Sequence, residues 1–206
     1  MKIHIKICGI TRAEDATAAT QFGANALGLV FYPPSPRAIS IPQAQAIANV
    51  TPPFVQLVGL FVNETAPKIE QILKEIPLNL LQFHGEETPD FCQQFNRPYI
   101  KALHLKENSD LNQQIISYRT ARGILLDTFN PNLKGGTGET FDWKRIPQNL
   151  AKPLILAGGL NPDNIKQAIL QVKPSAVDVS GGVEESKGIK SFSKMQAFIQ
   201  EIQSIK

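Results

Sequence analysis

The feature that most constrains the fold is a repeated alternation of short apolar runs with segments of helical pattern. Eight apolar runs begin near residues 3, 26, 55, 78, 99, 123, 153 and 175. The runs are continuously apolar, which is typical of strands covered on both faces. Strands that alternate with helices pair in parallel through right-handed crossovers. The pattern predicts an α/β fold with eight parallel strands, a single-domain (β/α)8 or TIM barrel over residues 1–206, near the lower size limit of that architecture.

An open doubly wound sheet is the main alternative to a barrel. Such sheets usually have fewer strands, and their phosphate-binding glycines lie in the first turn. In this chain the glycine pairs Gly158-Gly159 and Gly181-Gly182 come late. The barrel is therefore the better interpretation, with no linker and no second domain.

Several helix ends can be predicted from capping residues. Thr11 and Glu14 have the spacing of a capping box, in which each side chain bonds a backbone N–H of the other's residue. Gly23 is placed to end the first helix in a left-handed cap. Ser40 is placed to open the second helix, and Thr88 with a following proline to open the fourth.

Composition excludes several classes of protein. The chain has 206 residues, 42% hydrophobic and 19% charged, which is typical of an ordinary globular domain. Its two cysteines provide no disulfide framework, and no signal peptide or apolar run of membrane-spanning length is evident, so a cytoplasmic protein without a membrane partner is expected. The net charge of +3 is mild and no dense basic block occurs. Nucleic-acid binding is not expected, whereas an anionic small substrate is compatible with this charge.

Reactive residue types follow the predicted strands. In a barrel of this kind the active site lies at the carboxyl ends of the strands. The residues found there are Cys8, Arg37, His84, Asp127, Gly158, Gly159, Asp178, Ser180, Gly181 and Gly182. We therefore expect these residues to share one pocket.

Each of these residues also has a purely structural explanation. Cys8 could be a small buried apolar residue, Arg37 a solvated loop charge, and His84 a donor to a nearby carbonyl. Asp127 could cap local backbone, and Asp178 could accept backbone donors below the last loop.

The late glycine pairs indicate a phosphate site. Glycine lets backbone amides converge on an anion, and a helix N-terminus adds partial positive charge. The loops after strands seven and eight are the usual phosphate site of this barrel. Tight turns alone remain the alternative. The segment Gly135–Gly138 lacks the lysine and hydroxyl residue of a Walker loop, so nucleoside triphosphate binding is not expected.

Motifs along nearly the whole chain resemble the phosphoribosylanthranilate isomerase family of tryptophan biosynthesis. The matching stretches are Lys6-Ile7-Cys8-Gly9-Ile10-Thr11, Ser35-Pro36-Arg37, Gln82-Phe83-His84-Gly85, Leu126-Asp127, Gly135-Gly136-Thr137-Gly138 with Phe141-Asp142-Trp143, Ala157-Gly158-Gly159-Leu160, and Val177-Asp178-Val179-Ser180. The first of these stretches and the Gly-Gly-Thr-Gly segment are the most specific.

The resemblance implies an Amadori rearrangement of a phosphorylated small-molecule substrate. It implies Asp127 as general acid and Cys8 as general base, so Asp127 should have a raised pKa and Cys8 a lowered one. It also implies that Arg37 contacts the anthranilate carboxylate and that Gly136 belongs to the substrate-binding residues. His84 and Asp178 match site positions without an assigned role. No metal or organic cofactor is implied.

Two points differ from the family pattern or stay open. The family commonly has Ser-Ser-Gly after the last strand, whereas this chain has Ser180-Gly181-Gly182, so a side-chain phosphate contact at 181 is in doubt. The glycine-containing loop 128–140 is long enough to suggest closure over substrate. Both a monomer and a homodimer are compatible with the sequence.

Overall fold

The computed structural model describes residues 3–104, 111–127, 143–147 and 149–205. Eight strands close into one parallel barrel in chain order, and β1 pairs with β8 to complete it. These strands are β1 (His4–Cys8), β2 (Ala26–Val30), β3 (Gln56–Phe61), β4 (Leu80–Phe83), β5 (Tyr99–His104), β6 (Gly123–Asp127), β7 (Leu154–Ala157) and β8 (Ala176–Val179). The predicted fold class and its eight parallel strands are confirmed.

Helices cover the outside of the barrel. They are α1 (Ala13–Phe22), α2 (Ile41–Val50), α3 (Ala66–Glu75), α4 (Pro89–Gln93), α5 (Leu111–Ser117), α6 (Ile165–Val172) and α7 (Phe192–Gln203). A 3-10 turn, Trp143–Arg145, precedes β7, and a second, Gly181–Val183, follows β8. None of the helices in the described part of the chain combines the length and apolar character that a bilayer crossing requires.

The barrel has two hydrophobic layers because side chains alternate between the two faces of each strand. Outward side chains such as Ile7, Phe61 and Phe83 are fully buried against the helices, in the main core. A smaller cluster, including Ile100 and Leu125, fills the barrel interior. The inward positions nearer the carboxyl ends of the strands carry polar side chains, and those positions form the site.

Most predicted helix ends are found. Gly23 ends α1 in the left-handed region, with φ at 117°. Ser40 and Gln43 form a complete capping box at α2, and the Thr88 hydroxyl accepts a hydrogen bond from the Phe91 amide at α4.

The capping box predicted at Thr11 and Glu14 was wrong. Helix α1 begins one residue later than that pairing requires, with Arg12 at the N-cap and no side-chain cap. The Thr11 hydroxyl instead donates to the Gly188 carbonyl, and Arg12 pairs with Glu14 and Asp15. A contact with a distant segment has replaced the local one.

That distant segment is a small hairpin that the sequence did not predict. Strands β9 (Glu184–Ser186) and β10 (Ile189–Lys190) pair antiparallel directly after the 3-10 turn that follows β8. Gly188 lies in the turn with φ at 84°. The hairpin therefore sits beside the carboxyl end of the barrel and brings two charged side chains to it.

Candidate active site

A cavity of about 680 Å³ opens at the carboxyl ends of the strands. Every predicted site residue that the structure describes lines it: Cys8, Arg37, His84, Asp127, Gly158, Gly159, Asp178, Ser180, Gly181 and Gly182. Gly136 and the loop 128–140 lie outside the described residues. The strand-end rule thus brought residues from six separate segments of the sequence into one pocket.

Cys8 lies at the end of β1 beside a buried ion pair. The pairing of β1 with β8 sets Lys6 opposite Asp178, and Lys6 Nζ lies 2.9 Å from Asp178 Oδ1. Both side chains are almost entirely shielded from solvent, and Cys8 is 5% exposed. Because Lys6 and Cys8 are two residues apart on one strand, their side chains share the inward face.

The pKa of the Cys8 thiol is raised, whereas a lowered pKa had been expected. Burial is the largest cause, and the Asp178 carboxylate adds to it. The ammonium groups of Lys6 and Lys190 act in the opposite direction. Desolvation therefore disfavours the thiolate that a general base requires, and the nearby cations favour it.

Asp127 lies at the end of β6 and faces His84 from β4. The distance from His84 Nε2 to Asp127 Oδ2 is 3.4 Å. The amide nitrogen of the fully buried Gln82 lies 3.0 Å from His84 Nδ1. An amide donating to Nδ1 leaves Nε2 to carry the ring hydrogen, which then points at the Asp127 carboxylate. His84 and Gln82 thus orient the predicted acid.

Arg37 is held by a partner that was not predicted. Its Nε and Nη2 donate to the two carboxylate oxygens of Glu184, each at 2.7 Å. Lys190 Nζ also donates to Glu184, at 2.9 Å, and to the Ser180 carbonyl, at 3.2 Å. Burial alone would raise the pKa of Glu184, yet these two cations outweigh it and lower that pKa. Two of the five guanidinium donors are used on Glu184, which fixes the plane of the group and leaves the others for a ligand.

The late glycines line the part of the cavity formed by the loops after β7 and β8. Gly158 and Gly159 both have positive φ, at 86° and 65°, which favours glycine. Gly182 is required for another reason, since a Cβ there would collide with the Leu160 carbonyl oxygen. A Cβ on Gly181 would lie 3.2 Å from Arg37 Nη2. The loops after β7 and β8 are therefore packed backbone against backbone at this point.

A family model for N-(5'-phosphoribosyl)anthranilate isomerase matches residues 5–201 of this chain. The chain belongs to the N-(5'-phosphoribosyl)anthranilate isomerase family. The predicted family is confirmed, and with it the enzyme class, an intramolecular isomerase of tryptophan biosynthesis.

This chain is similar to members of the family over nearly its whole length. The N-(5'-phosphoribosyl)anthranilate isomerase of Pseudomonas fluorescens is 55% identical over 202 residues, covering 98% of this chain and 96% of the relative. The crystal structure of the Thermotoga maritima enzyme is 42% identical with a TM-score of 0.91, covering 99% of this chain and all of that one. A phosphoribosylanthranilate isomerase crystallised with reduced 1-(o-carboxyphenylamino)-1-deoxyribulose 5-phosphate is 38% identical with a TM-score of 0.84, over the same coverage.

Four residues of this isomerase site were missed from the sequence. Lys6 and Gln82 stand in otherwise apolar strands, each two positions before a predicted site residue, so the two-residue strand period places them on the same face. That signal was present in the sequence. Glu184 and Lys190 belong to the hairpin, and only the structure relates them to Arg37. Within the residues that the structure describes, His, Cys, Asp and Glu side chains nowhere form a group of three that could hold a metal ion.

Proposed function

We propose that this chain converts N-(5'-phosphoribosyl)anthranilate into 1-(2-carboxyphenylamino)-1-deoxyribulose 5-phosphate, with Asp127 as general acid and Cys8 as general base. The observation that carries the proposal is that a carboxyl and a thiol from two non-adjacent strands line one cavity. Such a cavity can present an acid and a base to different atoms of one sugar.

The reaction needs an acid to protonate the ring oxygen and a base to deprotonate C2, two atoms that are both bonded to C1 of the ribose. Asp127 protonates the ring oxygen, the bond from that oxygen to C1 breaks, and the nitrogen lone pair forms a Schiff base. The Cys8 thiolate then removes the proton from C2, which gives an enolamine. Protonation at C1 together with loss of the proton from the C2 hydroxyl then forms the C2 ketone, so substrate and product have the same atoms. Acid–base catalysis of this kind is most effective when both groups begin in the useful protonation state.

The remaining residues of the cavity suit the two anionic ends of such a substrate. Arg37, oriented by Glu184, offers its free donors to the anthranilate carboxylate. The amides around Gly159 and Gly182 suit the phosphate. The reduced product bound by the crystallised family member carries the same two groups, a carboxylate and a phosphate. His84 keeps Asp127 aimed at the reacting ring.

The location and the assembly of the enzyme are further parts of the proposal. A cytoplasmic enzyme is part of the proposal, since two free cysteines without a disulfide framework favour a reducing compartment. A monomer and a homodimer remain the two candidates for its assembly. Size-exclusion chromatography with light scattering distinguishes them.

The activity is tested with purified protein and enzymatically generated phosphoribosylanthranilate, by following the loss of anthranilate fluorescence without added metal. Cys8→Ala and Asp127→Asn should each reduce kcat by about 100-fold or more, the usual contribution of a general acid or base. Cys92→Ala is the matched control, because Cys92 is a fully buried cysteine in α4 that does not line the cavity. Near-normal kcat in either site variant contradicts the roles, and an inactive wild type contradicts the function.

A further inference from the structure

Lys6 is a buried cation for which the proposed mechanism has no use. Its side chain is 7% exposed and it does not line the cavity, so it does not face a substrate directly. A lysine ammonium is rarely placed in a barrel interior, because removing it from water is costly unless it is paired. It is paired here with Asp178, at 2.9 Å. The remaining question is which group benefits from this buried pair.

The geometry around Gly28 answers that question. A Cβ built on Gly28 of β2 would lie 2.7 Å from Cys8 Sγ and 2.9 Å from Lys6 Nζ. The sulfur and the ammonium therefore converge on the small space left by this glycine, which has no side chain to separate them. The Lys6 ammonium opposes the rise that burial causes in the pKa of the Cys8 thiol. The ammonium is thus a direct neighbour of the sulfur, within the same water-poor interior.

We propose that Lys6 is the positioning residue that favours the thiolate form of Cys8 against the effect of burial, and that Asp178 limits this effect by sharing the same ammonium. The inference rests on the proposed function only for its use, since the thiol can be titrated without substrate. A thiolate beside a desolvated ammonium is favoured, because few water molecules screen the attraction. An adjacent carboxylate works against a second anion for the same reason.

Other charges face Cys8 and set the background against which Lys6 acts. Lys190 of the hairpin supports the thiolate, and the Arg37 guanidinium interacts favourably with it. Both of these cations are also engaged by Glu184. Asp127 and His84 line the same cavity from the other strands. Lys6 differs from Lys190 and Arg37 because its carboxylate partner is Asp178, the buried acid that lies beside the Cys8 sulfur.

The test titrates Cys8 as a single thiol. The sequence contains two cysteines, so Cys92→Ala leaves Cys8 alone. The rate of alkylation by iodoacetamide is measured against pH, and the ultraviolet absorbance of the thiolate is followed in parallel. The inflection of each curve reports the thiol pKa independently of how easily the reagent enters the cavity.

In this background Lys6→Met should move the inflection at least one pH unit upward and slow alkylation at neutral pH by about tenfold. Lys6→Arg, which keeps the charge, should restore most of the effect. Asp178→Asn should move the inflection downward, since it removes an anion and keeps the cation. A merely structural role for the pair predicts no such opposite shifts.

Lys6→Met leaves a buried carboxylate without its partner, which can prevent folding. The double variant Lys6→Met/Asp178→Asn removes both charges, and circular dichroism checks that it is folded. Its inflection should lie above that of Asp178→Asn alone, because the two differ only in the ammonium.

An inflection that is the same in the folded Lys6→Met variants and their parents overturns the inference, whatever the activity. Shifted inflections together with a wild type that does not convert phosphoribosylanthranilate would instead support the Lys6 effect and overturn the proposed function. The two failures are thus distinguishable.

Discussion

Cys8 is subject to opposing influences, and the balance predicts how activity depends on pH. Burial raises the thiol pKa more strongly than the neighbouring ammonium groups lower it. A base with a raised pKa is mostly protonated at neutral pH, and its active fraction grows as pH rises. We expect kcat/KM for phosphoribosylanthranilate to increase through pH 7 and to keep increasing past about 8.5, the ordinary pKa of a cysteine. A pH–rate profile at substrate concentrations far below KM measures this.

A profile that is flat from neutral pH upward would contradict this expectation. Cys92→Ala again serves as the control, because the pKa of Cys92, at about 12, is too high for it to titrate in this range. The rise of kcat/KM with pH should be the same in the Cys92→Ala variant as in the wild type.

Neighbouring glycines in the loop after β8 should respond very differently to substitution. Gly182→Ala drives a Cβ into the Leu160 carbonyl, and separating the two loops costs roughly 1–3 kcal/mol. We expect KM to rise by about tenfold or more, since 1.4 kcal/mol corresponds to a factor of ten. The Cβ of Gly181→Ser would meet only side-chain ends, Arg37 Nη2 at 3.2 Å and Glu184 Oε2 at 3.9 Å, and the substitution should change KM a few-fold at most.

Steady-state kinetics and inhibition by inorganic phosphate compare the two glycine variants. If Gly182→Ala and Gly181→Ser change KM and phosphate inhibition equally, the close approach of Gly182 to Leu160 does not shape the phosphate site. A large improvement from Gly181→Ser would instead show that the hydroxyl common in the family is what this chain lacks.

At the scale of an element, the β9–β10 hairpin supplies the charges that hold Arg37. Glu184 is bonded both by Arg37 and by Lys190, whose side chain is fully buried. Glu184→Gln leaves that ammonium without a counter-ion, which typically costs about 3–5 kcal/mol. It also frees the guanidinium, so we expect a raised KM with a smaller change in kcat. Chemical denaturation and steady-state kinetics measure the two effects.

Glu185→Gln is the matched control for the hairpin, because Glu185 is the adjacent acid and is exposed. It should change neither stability nor KM measurably, as expected of a surface charge. Equal behaviour of the two variants would contradict a role for Glu184 in orienting Arg37.

Element length decided what could be predicted from the sequence. The barrel strands were recognisable because runs such as residues 57–61 are continuously apolar. The hairpin strands have only three and two residues, too few to show a period. The error at Thr11 has the same origin, because its hydroxyl is taken by Gly188 of that hairpin. A local rule fails where a distant backbone group competes for the same side chain.

At the scale of the whole molecule, barrel closure explains which contacts remained hidden. Lys6 and Asp178 are 172 positions apart, and Arg37 and Glu184 are 147 apart. Their residue types were visible in the sequence, and the strand-end rule placed two of the four, Arg37 and Asp178, on the correct rim. The pairings depend on the register of β1 against β8 and on the unpredicted hairpin, and neither follows from local pattern. Sequence reasoning therefore located the cavity but not the ion pairs that tune it.

The cavity as a whole should couple anion binding to the stability of the barrel. An anion that binds the loops after β7 and β8 links the last quarter of the chain to the rest, and it binds the folded state alone. Inorganic phosphate at 100 times its Kd should add about 2.7 kcal/mol to the free energy of unfolding. For a chain of this size that corresponds to a rise in Tm of roughly 5–10 °C. Differential scanning fluorimetry against phosphate, with sodium chloride at matched ionic strength, measures the rise. Gly182→Ala, if it weakens the site about tenfold, should reduce the rise by about half at the same phosphate concentration. An undiminished rise in that variant would place the anion elsewhere on the protein.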